Sequence, residues 1–362
     1  MISKIVTLGD VCNKGSSNIA QKDLVDRDGI YPIYGAAGYI KNVDFAHQDK
    51  PYLAVVKDGA GIGRVMKLPA NSSIIGTMQY ILPKGNIDID YLYFALQYMN
   101  LSKYFSGSTI PHIYFRDYQK EKLPLPELSE QQGKAYVLLR IEQLIECYHQ
   151  QLTKLDELVK SRFIELFGDP VYNTKKLPTK RLAELGSLDR GRSQHRPRNA
   201  PELLGGPYPL IQTGEVANAG LYITGYSNTY SELGLKQSKM WKAGTLCITI
   251  AANIAQTSIL TFDACFPDSV VGFIPGDSIS AIYMHYWFGF FQKILEEQAP
   301  QVAQKNINLK ILSDLSVVVP NQEQQKDFIA FVEQTDKSKL VVHKSLEKLE
   351  TLKKALMQKY FG

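Results

Sequence analysis

The chain contains the stretch QLTKLDELVKSRFIELFG at residues 151–168, and the stretch SLEKLETLKKALMQKYFG forms residues 345–362. Neither contains proline, and each ends on a Phe-Gly pair, at residues 167–168 in the first copy and 361–362 in the second. Apolar residues recur in both at steps of three and four, which is the spacing of one face of an α-helix. The two stretches therefore predict two helices of the same design and an internal repeat.

The repeat extends upstream of these helices. A second match joins LPLPELSEQQ at residues 123–132 to VVVPNQEQQ at residues 317–325, with Glu-Gln-Gln after a proline in each copy. A third match joins GIYPIYGAAGYI at residues 29–40 to GPYPLIQTGEVANAGLYI at residues 206–223. Because the matches occur in the same order at a nearly constant offset, the sequence predicts one domain-plus-helix unit present twice.

The helix that follows each proline carries a coiled-coil seam. Residues 129–167 contain no proline and only one glycine, and about 39 residues of helix span about 58 Å, longer than a small domain covers. We therefore predict that the two seams pack on each other; in the alternative, each stripe packs against its own domain. The second domain begins shortly after the first helix, so the second helix must run back, antiparallel to the first. The predicted seam residues are Leu138, Ile141, Ile145, Tyr148, Leu152, Leu155 and Val159, then Phe328, Val332, Thr335, Lys339, Val342, Leu346, Leu349 and Leu356.

The rest of each half combines strand-like and helix-like segments. Residues 52–68 and 245–262 have β-branched runs with small-residue turns, whereas residues 89–100 and 279–295 are aromatic-rich with helical spacing. The sequence therefore predicts an α+β fold with two mixed α/β domains, separated by two long antiparallel coiled-coil helices and related by a pseudo-two-fold repeat. The predicted boundaries are 1–126 for the first domain, 127–168 for the central helix, 169–320 for the second domain and 321–362 for the C-terminal helix.

Composition is that of a globular protein, with 44% hydrophobic and 21% charged residues. The four cysteines form no Cys-x-x-Cys pair and no metal-ligand spacing, which argues against a disulfide framework or a zinc site. The N-terminus has no apolar signal stretch, and no apolar run approaches the ~18 residues of a membrane span. We therefore expect a cytoplasmic protein without a membrane segment or a bound metal. Its net charge of +5 weakly favours a polyanionic partner.

Catalytic motifs are missing from the sequence. It has no Asn/Asp-Pro-Pro-aromatic motif for methylating a flipped base and no phosphate-binding Gly-x-x-x-x-Gly-Lys-Ser/Thr loop. The Pro-Asp pair at residues 267–268 lacks the downstream acidic-x-lysine of a nuclease, and the Gly-x-Gly at residues 59–61 is predicted to be a turn. We therefore predict no catalytic residues on this chain.

One segment is strongly basic. Between residues 175 and 198, eight lysines and arginines minus two acidic residues give a net charge of +6. Its end, DRGRSQHRPR at residues 189–198, is typical of a loop whose arginine and glutamine side chains reach base edges and phosphates; the alternative is a solvated basic loop. The corresponding residues 13–18 are polar but barely charged, so the two halves would read different sequences. The residues predicted to contact DNA are Ser16, Ser17, Asn18, Lys57, Arg64, Thr109, His112, Arg190, Arg192, Gln194, His195, Arg196, Arg198, Thr213, Lys305 and Asn306.

The sequence of domain, long helix, domain and long helix resembles the specificity subunits of type I restriction-modification enzymes. The resemblance rests on GSTIPHIYFRDYQKEKLPLP at residues 107–126, AQKNINLKILSDLSVVVP at residues 303–320, and RFIELFGDP at residues 162–170. It covers nearly the whole chain and is most specific where each domain leads into its helix.

That resemblance implies a non-catalytic DNA-binding subunit with two target recognition domains, each reading half of an asymmetric bipartite site. The helices would act as spacer and as docking surface for two modification subunits, and restriction subunits would join them. No cofactor is expected on this chain: S-adenosylmethionine would bind the modification subunit, and ATP and Mg the restriction subunit. Three alternatives remain, namely the recognition subunit of another methyltransferase-nuclease system, a stand-alone modification or nuclease enzyme, and a coiled-coil scaffold that binds no DNA.

Overall fold

A computed structural model describes residues 4–106, 111–251, 254–291, 293–294 and 307–362. It contains two compact units. Unit 1 comprises Met1–Gln151 with Val342–Gly362, and unit 2 comprises Leu152–Val341.

Unit 1 is a mixed α/β domain. Its core lies between the apolar face of its sheet and one buried helix, α2. Strands β2-β8-β5-β6 form an antiparallel sheet in that order, β4-β3-β7 form a second sheet, and β1 pairs with β9. The elements are β1 Lys4–Thr7, α1 Leu8–Val11, β2 Cys12–Ser16, β3 Tyr31–Gly35, β4 Gly38–Val43, β5 Tyr52–Val56, β6 Val65–Leu68, β7 Ser73–Ile74, β8 Met78–Pro83, α2 Ile89–Met99, α3 Phe115–Tyr118, β9 Lys122–Leu125 and α4 Leu128–Phe167, with 3₁₀ turns at Gln21–Leu24 and Leu101–Tyr104.

Unit 2 is built in the same way. Strands β11-β19-β16-β17-β13 form one sheet, β14-β12-β18-β15 form another, and β10 pairs with β20. The elements are β10 Thr179–Arg181, α5 Leu182–Leu185, β11 Gly186–Arg190, β12 Leu204–Leu210, α6 Thr213–Asn218, β13 Tyr222–Ile223, β14 Asn228–Tyr230, α7 Glu232–Lys236, β15 Met240–Trp241, β16 Leu246–Thr249, β17 Thr257–Leu260, β18 Ala264–Cys265, β19 Val270–Pro275, α8 Ala281–Phe288, α9 Leu309–Asp314, β20 Ser316–Val318 and α10 Gln322–Phe361, with a 3₁₀ turn at Pro201–Leu203.

The strand order confirms the internal repeat. The order β2-β8-β5-β6 of unit 1 recurs as β11-β19-β16-β17 in unit 2, and the β1-β9 pair recurs as β10-β20. The parallel contact of β3 with β7 likewise recurs between β12 and β18. The predicted α+β fold with two long helices is therefore correct.

The two 40-residue helices, α4 and α10, contact each other within each unit. In unit 1, Glu142 of α4 forms an ion pair with Lys353 of α10, at 2.6 Å. In unit 2, Asp156 forms an ion pair of 2.6 Å with Lys339, and Phe163 packs on Phe328. Within unit 2, residue numbers rise along α4 while those of the contacting residues on α10 fall, so the two helices are antiparallel there. In unit 1, Lys134 of α4 lies over Tyr360, which indicates the same antiparallel direction. Every predicted seam residue is buried or half-buried.

A buried glutamine explains the repeated helix-entry phrase. Gln131 is 1% exposed; its Oε1 accepts from Asp88 N (2.9 Å) and its Nε2 donates to Pro126 O (2.9 Å). In unit 2, Gln325 accepts from Ser280 N (3.0 Å) and its Nε2 lies 3.1 Å from Pro320 O. Each glutamine thus ties the start of a long helix to the start of the short helix beside it.

The same contacts correct the alignment of the two copies. Each buried glutamine follows its proline by five residues. Gln131 is therefore the middle residue of the first Glu-Gln-Gln, whereas Gln325 is the last residue of the second. Matching the two strings letter by letter was wrong by one position, because backbone geometry fixes the distance from the proline rather than the order of the polar letters.

Each helix ends on a phenylalanine that packs on a buried tyrosine. In unit 1, the ring centroids of Phe361 and Tyr91 lie 5.0 Å apart, and in unit 2 those of Phe167 and Tyr283 also lie 5.0 Å apart. The hydroxyl of Tyr91 donates to Pro124 O (2.9 Å), as that of Tyr283 does to Val318 O (2.8 Å). The C-terminal end of α10 therefore lies in unit 1.

A half-buried histidine, His285, is expected to make the stability of unit 2 depend on pH. His285 Nδ1 lies 3.0 Å from Thr257 Oγ1. Burial, with a smaller contribution from Lys339, lowers the pKa of His285 to about 4, although the contact with Thr257 opposes the shift. An unfolded histidine titrates near pH ~6.5. Stabilisation by the neutral ring is therefore complete above that pH and is lost as the pH falls through about 4.

We expect the free energy of unfolding to fall by roughly 2 kcal/mol more for the native chain than for His285→Gln between pH 7 and pH 5. The glutamine keeps a polar partner for Thr257 and does not titrate. Chemical denaturation of both chains at the two pH values measures the difference. Equal losses would show that His285 is protonated alike in the folded and unfolded chain.

Candidate nucleic-acid interface

The arginine-rich segment of unit 2 is a fixed loop. Strand β11 ends at Arg190, and residues 191–198 form the loop that follows it. Gly191 N donates to Val270 O (2.9 Å), and Arg192 N donates to Phe266 O (3.2 Å). A Cβ at Gly191 would lie 2.3 Å from Phe266 O, so only glycine allows this approach.

The far side of the loop is held by the end of α7. Gln237 Oε1 accepts from the backbone N–H groups of Gln194 (2.7 Å) and His195 (3.1 Å). Ser238 Oγ donates to Arg192 O at 3.0 Å. The loop is thus pinned on two sides before any ligand binds, which lowers the ordering cost of recognition.

Three of its arginines converge on one aspartate. Arg190 donates through Nε and Nη2 to the main-chain carbonyl of Asp268, at 2.9 and 2.6 Å. Arg198 Nη2 lies 2.5 Å from Asp268 Oδ1, and Arg196 Nη2 lies 3.6 Å from Oδ2. Arg196 also donates to the carbonyl of His195 at 2.8 Å, so it folds back on its own loop.

Arg192 and Gln194 differ from these three. Both are exposed, and within the described ranges no hydrogen bond or ion pair engages either side chain. The pKa of Asp189 is lowered mainly by a hydrogen bond from Lys239. The charge of Arg192, which lies nearby, adds a smaller effect in the same direction. The loop therefore presents one guanidinium and one carboxamide, which are side chains that can each make two hydrogen bonds to a base edge.

Part of the basic segment has structural partners instead. Lys175 Nζ donates to the carbonyls of Glu165 and Leu166, near the C-terminal end of α4, where a cation is favourable. Arg181 forms an ion pair of 2.8 Å with Glu184. Of the eight cations counted along the sequence, Lys175 and Arg181 thus have partners within the fold, and four arginines belong to the loop.

Unit 1 brings its predicted residues together through one short connection. Gly76 N donates to Ile19 O (2.7 Å), and Thr77 O accepts from the N–H groups of Lys57 (3.0 Å) and Asp58 (3.2 Å). Residues 16–18 therefore lie beside the end of β5. Asp58 in turn contacts His112 Nδ1, which adds that residue to the group.

The charges of this group are also paired. Lys57 Nζ lies 2.7 Å from Asp58 Oδ2. Burial lowers the pKa of Lys57, and burial together with the Lys57 charge lowers the pKa of His112. Arg64 donates to Ala36 O at 3.1 Å. Asp58 thus offsets the charge of Lys57, whereas Arg64 keeps its charge because its partner is a neutral carbonyl.

The other predicted contact residues divide as follows. Ser17 is buried, and its Oγ accepts from Ile19 N at 3.3 Å, which favours a role in the turn. Thr213 begins α6, and among the described residues no hydrogen bond or ion pair joins it to the arginine loop. Thr109, Lys305 and Asn306 lie outside the described residues.

The glycines at 59, 61 and 63 have φ values of +82°, +84° and +82°, which confirms the predicted turn.

Sequence reasoning missed two acidic residues, Asp58 and Asp268, which face the predicted cations.

Within the described ranges, no group of three or more histidine, cysteine or acidic residues is placed to hold a metal. Nor is any helix there long and apolar enough to cross a membrane.

Comparison with known proteins places the chain in a family. The family described as "Type I restriction modification DNA specificity domain" matches it twice, at residues 3–157 and 175–351. The chain therefore belongs to this family of specificity subunits, and its two domains are target recognition domains.

Two relatives come from Methanocaldococcus jannaschii. The type I restriction enzyme MjaVIII specificity subunit is 23% identical over 331 residues, covering 83% of this chain and 76% of the relative. A putative type I restriction enzyme MjaX specificity subunit is 21% identical over 291 residues, covering 76% of this chain and 67% of the relative.

Solved structures share the fold. The S subunit of a type I restriction-modification system from M. genitalium superposes with a TM-score of 0.64 at 15% identity, covering 99% of this chain and 96% of that one. A chain from a study of complex assembly in a type I system has a TM-score of 0.53 at 15% identity, covering 99% and 97%.

Proposed function

We propose that the chain binds double-stranded DNA through two unlike surfaces, one in each unit, as the specificity subunit of a type I restriction-modification complex. The observation that carries this proposal is the pinned loop of unit 2, with Arg192 and Gln194 exposed beside arginines held by Asp268. Arginine and glutamine read guanine and adenine by paired hydrogen bonds, and the other arginines can contact phosphate. The corresponding surface of unit 1 has no arginine loop, and its Lys57 is paired with Asp58, which supports an asymmetric, bipartite target.

Catalysis is proposed to lie on partner chains. Two modification subunits would supply S-adenosylmethionine and methyl transfer, and restriction subunits would supply ATP and Mg-dependent cleavage. The absence of catalytic motifs from the sequence supports this division. Exposed apolar side chains on the two long helices support docking of partner chains, because such patches mark interaction surfaces. They are Leu144, Leu158, Leu340 and Leu352. We propose that these exposed faces receive the modification subunits in the cytoplasm.

The test combines this chain with its modification subunit. Methyladenine mapping of cells that carry both identifies the target, and a DNA-binding titration then measures affinity for that target. Arg192→Ala is expected to weaken target binding by about 10- to 100-fold and to relax the sequence read by one half-site only. Lys180→Ala is the control, because it removes one exposed charge of the same basic segment outside the loop.

Unchanged affinity and an unchanged half-site in Arg192→Ala would contradict this assignment. The scaffold alternative makes a separate prediction, that the complex shows no salt-dependent DNA binding. The purified chain alone, incubated with methyl donor and DNA, is expected to transfer no methyl group. Turnover by this chain alone would favour the stand-alone enzyme.

A further inference from the structure

Asp268 has an unusual position among the acidic residues of unit 2. Its carboxylate faces two guanidinium groups, those of Arg196 and Arg198, and its carbonyl binds a third, that of Arg190. Oδ1 is shielded from solvent and accepts no aligned hydrogen bond from the described residues, so the Arg198 charge at 2.5 Å is its main compensation. A shielded carboxylate oxygen without such a partner would be costly.

An acidic residue two positions before strand β19 occurs in unit 2, which has the arginine loop, and not at the corresponding position of unit 1. Asp268 lies two residues before β19. The corresponding strand of unit 1 is β8, and the residue two positions before it is Gly76. The loop of unit 1 at that edge, residues 17–19, carries no arginine. The pairing of an acidic residue with an arginine loop is therefore a property of unit 2.

We propose that Asp268 is a specificity-determining residue, whose carboxylate suppresses the binding of non-target DNA by occupying Arg196 and Arg198 of the recognition loop. This inference rests on the proposed function. Phosphates are present on every duplex, so arginines free to bind them raise affinity for all sequences alike. A phosphate that binds Arg196 or Arg198 must first replace Asp268. Arg192 and Gln194 carry no such restraint and remain available to bases.

Removal of the charge tests the idea. In complex with the modification subunit, Asp268→Asn is expected to bind a random-sequence duplex roughly tenfold more tightly than the native chain. The dependence of log affinity on log salt should steepen by about 0.9 for each additional phosphate bound. Target affinity should rise less, so the ratio of target to non-target affinity falls.

Three further variants make the result interpretable. Asp263→Asn removes the same charge from a surface pair with Lys242 and should leave random-duplex affinity unchanged. Asp268→Glu keeps the charge and should behave much like the native chain. In a background of Arg196→Gln and Arg198→Gln, Asp268→Asn should lose most of its effect, because the phosphate-binding groups it releases are gone.

The outcomes separate the two claims. If the native complex does not bind DNA, the proposed function fails and this inference fails with it. If the native complex binds its target but Asp268→Asn leaves random-duplex affinity and salt dependence unchanged, only the role of Asp268 is overturned. Weaker binding of both duplexes by Asp268→Asn, with Asp268→Glu equally weak, would make Asp268 a structural support of the loop and also overturn the inference.

Discussion

Truncation of Phe167 to alanine is expected to lower the free energy of unfolding by about 3–5 kcal/mol. Phe167 is 1% exposed, and its ring packs on Phe163, Tyr283 and Phe328 with centroid distances of 4.9, 5.0 and 5.4 Å. The substitution removes an aromatic ring at the point where both long helices meet the core of unit 2. Rigid neighbours on several sides cannot close the space, so a cavity adds to the lost burial.

The matched control is Ile164→Ala, three residues earlier on the same helix. Ile164 is 37% exposed, so its truncation should cost less than about 1 kcal/mol. Chemical denaturation of the full chain, followed by circular dichroism, measures both variants. Similar losses for Phe167→Ala and Ile164→Ala would mean that the end of α4 is not packed as described.

The helices and the repeat could be predicted because their physical causes are local in sequence. A seam needs apolar residues every three or four positions, and positions such as Leu138 and Val332 show that spacing directly. The Phe-Gly ends could be predicted for the same reason. Phe167 and Phe361 close the apolar stripe, and Gly168 has the positive φ (+76°) that ends a helix.

The recognition surface could be predicted only in part. The arginines of the loop stand out as a run, but the aspartate that holds three of them is 78 positions from Arg190, beyond any local pattern. In the sequence, Pro267-Asp268 resembles only half of a nuclease motif, and the role of Asp268 as a partner for arginine depends on how β11 pairs with β19. A count of charges along the chain therefore overstates the positive charge of the surface, since ion pairs form between distant strands.

The helices carry the second large expected effect. The boundary between the units crosses α4 after Gln151 and α10 after Val341, so each helix contributes one part to each unit. Insertion of two residues after Leu152, matched by two after Val342, turns the following part of each seam by about half a turn. Seam residues on the two sides of the insertion then face opposite ways. We expect loss of methylation in cells that carry this variant with the modification subunit.

Insertion of four residues at the same two places is the informative counterpart. Four residues are close to one helical turn, so the seam can re-register, and each helix lengthens by about 6 Å. Because base pairs are spaced about 3.4 Å apart, the unread gap of the proposed bipartite site should grow by one or two base pairs. The bases read in each half should stay the same, since the loops that read them are unchanged. Methyladenine mapping in cells reports both quantities, and a variant that altered the half-site bases while leaving the gap fixed would contradict a role of the helices as spacer.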